Sequence, residues 1–300
     1  MPDLTRRDFK LGIGTQLDSQ LAYISPNFEN KVVSHIVGNY MNNSVFPLYL
    51  SIHGKKGEGK TFQTIRVCSK YRLSVYYISS AELCGSYESD SISNIQENLS
   101  RALHELKSEQ VMSVFIIDDF HLSIASTEIG VGRTVNSQVL TAFLMNLSDK
   151  AKASKNMRIP FILLGNDFTN LYDPLTRDGR MDFFEWNPAQ KEKIKMVCFH
   201  FDDLLPTSED KEALTKIVET YNTQPISFFA EIKNDLFKSV VSEYIRHCSQ
   251  SDIRKIIAHL NSERRMCCSD ILPQIERLAT ERITNSKMIL HEERGNLHHV

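Results

Sequence analysis

Residues 54–61 read Gly54-Lys55-Lys56-Gly57-Glu58-Gly59-Lys60-Thr61, which matches the pattern G-x-x-x-x-G-K-[ST] of a phosphate-binding loop. In such a loop the glycines let the backbone approach a polyanion, the lysine reaches the outer phosphates, and the final hydroxyl ligates Mg²⁺. The motif therefore predicts ATP and Mg²⁺ as cofactors. The predicted nucleotide-binding residues are Gly54, Gly57, Glu58, Gly59, Lys60 and Thr61, and Thr61 is also a predicted metal ligand.

The residues on either side of the loop favour this interpretation over a merely structural Gly-rich turn. Phe46–Ile52 is a largely apolar run typical of a buried strand, and Thr61–Lys70 can begin a helix whose N-terminus faces the phosphates. A strand, a Gly-rich loop and a helix in this order form the setting in which the motif binds nucleotides.

The composition indicates a soluble protein with a real core. The chain has 300 residues, of which 41% are hydrophobic, enough for one large or two smaller domains. A formal charge of −2 gives no general attraction to nucleic acid or to an anionic membrane. The six cysteines include no C-x-x-C pair, so reduced thiols are expected. Without a signal peptide or a membrane-length apolar run, the expected location is the cytosol.

The hydrophobic pattern divides the chain near Asn187-Pro188. Before it, short apolar strands alternate with amphipathic helices, which predicts an α/β domain with a largely parallel sheet over residues 1–187. After it only helical patterns follow, which predicts a small all-helical domain over residues 188–300, with a loose polar tail from His291. The predicted strands are Phe46–Ile52, Ser74–Ile78, Met112–Ile117 and Ile159–Leu164; the later helices are Lys191–His200, Ser208–Tyr221, Phe228–Arg246 and Ile253–Leu260.

Polar residues follow two of the predicted strands. Asp118 and Asp119 come at the end of one apolar run, where a P-loop fold places its second phosphate-site motif. Asp118 is the predicted Mg²⁺ residue, and Asp119 is the predicted base for the attacking water. Asn166 follows the next strand, from which it could contact the γ-phosphate or the water. The alternative for these residues is an acidic strand end and a loop asparagine without a catalytic role.

Two arginines follow the last predicted strand. Arg177 and Arg180 could stabilise the charge of a transferring phosphoryl group, because a guanidinium is a planar, permanent cation. Surface salt bridges are the alternative.

Taken in order along the chain, several segments resemble the Rubisco activase family of AAA+ ATPases. The most specific is Pro174-Leu175-Thr176-Arg177-Asp178-Gly179-Arg180-Met181, because the phosphate-binding loop alone occurs in many families. The other segments are Tyr23–Phe28, Gly54–Gln63, Thr134–Gln138, Leu144–Asn146, Gly165–Phe168 and Pro225–Phe229.

The resemblance implies an α/β P-loop AAA+ domain followed by a helical lid, and an ATP-driven machine that releases inhibitory sugar phosphates from Rubisco. It implies that Lys60 and Thr61 correspond to Walker A, Asp118 and Asp119 to Walker B, and Asn166 to sensor 1. Arg177 and Arg180 would be offered to a neighbouring subunit in a homo-oligomeric ring, which implies a hexamer. Pore loops would fall at Cys84–Asp90, with Tyr87 as the gripping residue, and at His121–Arg133.

The chain also departs from that family. Lys233 and Asp235 stand where plant members carry an arginine pair, so Lys233 is the candidate nucleotide contact from the lid. The plant N-terminal extension, the small-subunit-like C-terminal module and a transit peptide are not recognisable, which favours a short bacterial, cyanobacterial-type member.

Three functions remain open at the level of the sequence. The first is a remodelling motor with Rubisco as its client. The second is a nucleotide-switched adaptor or scaffold, or a remodeller of another client. The third, a helicase loader, is disfavoured by the balanced charge.

Overall fold

A computed structural model describes residues 10–13, 23–83, 88–124, 135–154, 158–169, 171, 173–177, 179–248, 252–262 and 271–296. The chain divides into two compact units, Met1–Asn187 and Pro188–Val300. No helix within the described ranges has the length and apolar character that crossing a membrane requires.

The first unit contains a six-stranded sheet flanked by helices. Its strands are β1 (Lys10–Ile13), β2 (Tyr49–His53), β3 (Ser74–Ser79), β4 (Ser113–Asp118), β5 (Phe161–Leu164) and β6 (Met181–Glu185). Its helices are α1 (Pro26–Tyr40), α2 (Lys60–Lys70), α3 (Ser80–Leu83), α4 (Glu88–Ser108), α5 (Phe120–Ile124), α6 (Val135–Ala153) and α7 (Asp173–Thr176).

The strand order is β1-β3-β4-β5-β2-β6, in which β1 is antiparallel to β3 and the other five strands are parallel. The α/β prediction with a largely parallel sheet is therefore confirmed. In this order β2 lies between β5 and β6, so the chain that leaves β2 through residues 54–59 emerges beside the ends of both neighbours.

A row of four aromatic rings fixes the register of the central strands. Tyr76, Phe115, Phe161 and Tyr49 lie opposite one another on β3, β4, β5 and β2, and all four are fully buried. The Tyr76 and Phe115 rings stack at 4.7 Å, as do those of Phe115 and Phe161, and Tyr49 meets Phe161 edge-on at 5.7 Å. A one-residue slip of any of these strands would move its ring to the opposite face of the sheet and break the row, so the carboxyl ends of the strands stay aligned.

Some strand boundaries differ from the prediction. The strand predicted from Phe46 begins at Tyr49, because the carbonyls of Phe46 and Pro47 accept hydrogen bonds from Arg158 and Asn39 and Pro47 has no N–H to give a ladder. Two strands were missed, β1 and β6. Because β6 follows Arg180, the expectation that Arg177 and Arg180 lie after the last strand is wrong.

The second unit is helical, with α8 (Gln190–His200), α9 (Ser208–Thr220), α10 (Ile226–His247), α11 (Ile253–Ser262) and α12 (Ile271–Asn296). Helices α8, α9, α10 and α12 enclose a core that includes Phe201, Leu214, Phe229 and Ile275. Helix α12 was not predicted, and residues 291–296 of the expected loose tail belong to it. Neither Gly nor Pro occurs between residues 274 and 294, so nothing in the sequence interrupts this helix.

Candidate nucleotide site

The Gly-rich loop connects β2 to α2 in a conformation that needs its glycines. Gly54, Gly57 and Gly59 have φ values of 144°, 79° and 77°, a region that other residues rarely adopt. A Cβ on Gly54 would lie 2.2 Å from the carbonyl oxygen of Trp186, whereas one on Gly59 would meet none of the described residues within 4 Å. The loop is therefore held closely at its start and has open space beside its last glycine.

Two neighbouring strand ends hold the loop in place. The Gly54 N–H donates to the carbonyl of Asn166, just after β5, at 3.3 Å. The indole Nε1 of Trp186, just after β6, donates to the carbonyl of Glu58 at 2.7 Å. Both contacts follow from the position of β2 between β5 and β6. The loop is thus supported from both sides.

Lys60 is the central cation of the site. Its buried side chain donates from Nζ to the carbonyls of Gly54 at 2.7 Å and Lys55 at 2.9 Å, and to Oδ1 of Asn166 at 3.1 Å. Burial lowers the pKa of Lys60, while the acidic residues nearby, Asp118 first, act in the opposite direction. A phosphate oxygen could replace any of these three acceptors without leaving the ammonium unpaired.

Thr61, in the first turn of α2, meets Asp118 at the end of β4. The Thr61 hydroxyl donates to Oδ2 of Asp118 at 2.9 Å, and the N–H of Asp119 donates to Oδ1 at 2.9 Å. Asp119 has φ 51°, in the left-handed region, immediately after β4, and its side chain is exposed. The sheet therefore brings together the predicted residues Lys60, Thr61, Asp118 and Asn166, with Asp119 beside them.

These residues fit the two implied cofactors. The first-turn N–H groups of α2 have no partner within the helix, so its N-terminus favours an anion next to the open space at Gly59. A hydroxyl and a carboxylate in contact are oxygen ligands of the kind that Mg²⁺ prefers. Within the described part of the chain no cluster of three or more His, Cys, Asp or Glu could hold a metal by itself.

The two predicted arginines lie away from this site. Arg180 directly precedes β6, and its carbonyl accepts from the N–H of Tyr49, the first residue of β2. One strand length separates it from the loop, roughly 15 Å at about 3.3 Å per residue. Its guanidinium forms a two-point ion pair with Asp149 at 3.0 and 2.8 Å and also donates to the carbonyl of Pro174. Arg177 lies three residues earlier and is exposed.

The remaining predicted residues belong to the second unit or lie outside the described residues. Lys233 belongs to the helical unit, where its Nζ donates to the carbonyl of His200 at 2.5 Å and to Asp203 at 2.6 Å. Asp235, two residues later, is paired with Arg282 of α12. Tyr87 and most of the two expected pore loops lie outside the described residues.

Two residues of the site were missed from the sequence. Tyr77 of β3 donates its phenol hydrogen to Oδ2 of Asp118 at 2.6 Å, and its pKa is raised by burial and by that carboxylate. Trp186 supports the loop as described above. No local sequence pattern marks either residue, because each contacts a residue on a neighbouring strand or loop that is distant in sequence. The one signal in the sequence for Trp186 is that it is the chain's single tryptophan.

Comparisons with known proteins agree with this geometry. The sequence model of the family described as "ATPase family associated with various cellular activities (AAA)" matches residues 50–189, from β2 to just beyond β6. Among proteins, the chain is similar to three named ribulose bisphosphate carboxylase/oxygenase activase. The first, from Anabaena sp., is 32% identical over 242 residues, 77% of this chain and 58% of the relative.

The other two come from Nostoc sp. and from Malus domestica, whose protein is described as chloroplastic. The Nostoc protein is 33% identical over 235 residues, 74% of this chain and 56% of the relative. The Malus protein is 33% identical over 254 residues, 78% of this chain and 55% of the relative. The chain thus spans little more than half the length of these relatives. Residues 50–189 therefore form a domain of the AAA family of ATPases, and the chain is similar to Rubisco activases.

Proposed function

We propose that this protein hydrolyses ATP in a homo-oligomeric ring and uses the energy to remodel a client protein, with Rubisco as the client and release of its inhibitory sugar phosphates as the result. The observation that carries the proposal is the meeting of Lys60, Thr61, Asp118 and Asn166 at the carboxyl ends of β2, β4 and β5. Lys60 contacts Asn166 and Thr61 contacts Asp118, and all four residues lie at the glycine-rich loop.

Each side chain has a task in this proposal. Lys60 exchanges its carbonyl acceptors for phosphate oxygens and neutralises their charge. Thr61 and Asp118 would hold Mg²⁺, which when bound would neutralise phosphate charge. Asp119, whose carboxylate is exposed next to Asp118, orients the attacking water and accepts its proton. Asn166 contacts the γ-phosphate or that water.

The position of the arginines supports a ring. Arg180 lies at the opposite end of the strands from the loop of its own chain, so it serves as an arginine finger only toward another copy. Arg177 and Arg180 would then complete the neighbour's site, and six copies would close the ring. We propose Lys233 as the contact that couples the helical unit to the nucleotide, for which it would have to leave Asp203. Tyr87 is proposed as the residue that grips the client.

The client is proposed from the relatives, which carry the name of Rubisco and match about three quarters of this chain. The matches from Anabaena and Nostoc support a bacterial cytosol as the location.

Reactivation of Rubisco tests the whole proposal. Sugar-phosphate-inhibited Rubisco is incubated with the purified protein and ATP, with Lys60→Ala as the inactive control. Recovery of carboxylase activity that requires Lys60 is the expected result. A preparation that forms rings and hydrolyses ATP but leaves Rubisco inhibited would reject this client and retain the motor.

A nucleotide-switched adaptor is the second candidate, favoured by the engagement of Lys233 within its own unit. An Asp119→Asn variant separates the two functions, because it retains nucleotide binding but loses hydrolysis. Client activation near the wild-type level in this variant would support the adaptor and contradict the motor.

A further inference from the structure

Tyr77 makes a short hydrogen bond to the carboxylate at the centre of the site. Ser79 of β3 lies opposite Asp118 of β4, and Tyr77, two residues before Ser79, projects from the same face of the sheet. Its phenol hydroxyl donates to Oδ2 of Asp118 at 2.6 Å. This length is typical of a charge-assisted O–H···O⁻ bond, the stronger kind of hydrogen bond.

The acceptor capacity of Asp118 shows what this bond can do. A carboxylate has about four acceptor positions, and the described residues fill three of them, two on Oδ2 by Thr61 and Tyr77 and one on Oδ1 by the N–H of Asp119. The Thr61 hydroxyl can ligate a metal ion through a lone pair while its hydrogen still points to Oδ2. Tyr77 and Thr61 then hold Oδ2, the Asp119 N–H holds one position on Oδ1, and the other position on Oδ1 is available to metal-bound water.

We propose that Tyr77 is a positioning residue for magnesium binding. Tyr77 acts by orienting the Asp118 carboxylate. The inference rests on the proposed nucleotide site and adds to it a residue that contacts neither nucleotide nor metal. Groups that hydrogen-bond metal ligands in this way change metal affinity by about 10- to 100-fold when they are removed.

The test measures ADP affinity by calorimetry with saturating Mg²⁺ and again with EDTA. The dissociation constant in EDTA divided by the dissociation constant in Mg²⁺ gives the factor by which the metal strengthens ADP binding. In Tyr77→Phe, which keeps the ring, this ratio should fall about 10-fold while the affinity in EDTA stays at the wild-type value. The ratio is taken within one variant, so a partly unfolded preparation, which lowers the active fraction equally in both buffers, leaves it unchanged.

Tyr76→Phe is the matched control. Tyr76 is the adjacent residue of β3, and its hydroxyl contacts Glu105 at 3.3 Å instead of the site. This variant also loses one phenol hydroxyl, and it should keep the wild-type ratio. Asp118→Asn completes a double-mutant cycle, because adding Tyr77→Phe to it should cause little further loss if Tyr77 acts through Asp118.

Each result decides the inference. A smaller ratio in Tyr77→Phe, non-additive with Asp118→Asn, supports it. A wild-type ratio, an equal loss of affinity in both buffers, or full additivity overturns it while the nucleotide site stands. Wild-type protein that fails to bind ADP in either buffer overturns the proposed nucleotide site together with the inference.

Discussion

At the amino ends of the parallel strands, polar side chains bind mainly the backbone, whereas at the carboxyl ends they bind mainly one another and the loop. The Tyr40 hydroxyl both accepts from the N–H and donates to the carbonyl of Ser113, the first residue of β4, at 2.7 Å each. His35 contacts the carbonyl of Phe161, the first residue of β5, at 3.2 Å. At the other end, Lys60 and Asp118 are the centres of contacts that include Asn166, Thr61 and Tyr77.

This difference indicates that polar side chains at one end of the sheet stabilise the fold, whereas those at the other end serve the candidate site. Backbone groups at a strand start need their partners in every state of the protein, because a buried carbonyl or N–H without a hydrogen bond is costly. Contacts among side chains around a loop can be exchanged for those of a ligand. Substitutions at the amino ends should therefore change stability, and substitutions at the carboxyl ends should change nucleotide chemistry.

The strongest test of the carboxyl end is Lys60→Ala. Loss of this cation should lower kcat/KM for ATP about 100- to 1000-fold, because the transferring phosphoryl group loses a preorganised positive charge. A coupled ATPase assay measures it. Lys56→Ala, in the same loop but exposed, should stay close to wild type. Substantial ATP turnover by Lys60→Ala would contradict the expectation that side chains at the carboxyl ends control nucleotide chemistry.

Arg180 lies at the amino end, but we expect its substitution to affect catalysis. Arg180→Ala should lower ATP turnover about 100-fold in the assembled protein, because the site of a neighbouring copy loses one preorganised stabilising group. Asp149→Ala breaks the same ion pair but keeps the arginine, so its turnover should remain within about threefold of wild type, as exposed pairs contribute little. An equal loss in both variants would assign Arg180 a structural role.

His35 should make the stability of the amino end depend on pH. Burial lowers its pKa from 6.5 to about 4, so the folded protein keeps it neutral where the unfolded chain is protonated. As pH falls from 6.5 to 4, the unfolded state binds the extra proton, and the free energy of unfolding should fall by up to about 3 kcal/mol. Urea unfolding across this range, wild type against His35→Gln, measures it. The difference between the two proteins should change with pH; parallel curves would contradict the argument.

Tyr40→Phe should have the smallest of the four effects. Removing its buried hydroxyl leaves the N–H and carbonyl of Ser113 without this partner, which should cost about 2 kcal/mol in urea unfolding and leave ADP affinity unchanged. Tyr71→Phe is the control, since that hydroxyl contacts Glu29 at the surface. A change in ADP affinity for Tyr40→Phe would show that the two ends are coupled.

Local patterns were sufficient where the chemistry is local. The loop at residues 54–61 and the apolar run that places Asp118 at a strand end predicted most of the site. Strand β6 was not predicted because Met181–Glu185 is short and only Met181 in it is buried, so its hydrophobic pattern is weak. The role of Tyr77 was not predicted because its partner, Asp118, is 41 residues away along the chain.

The sequence by itself determined the phosphate-binding chemistry and the order of an α/β unit followed by helices, because glycine conformation and hydrophobic periodicity are properties of neighbouring residues. The tertiary structure alone decided that Tyr77 meets Asp118, that Trp186 supports the loop, and that Arg180 lies a strand length from its own site. The physical reason is the strand order, since packing of the sheet and its helices, and not any local pattern, sets which strands are neighbours.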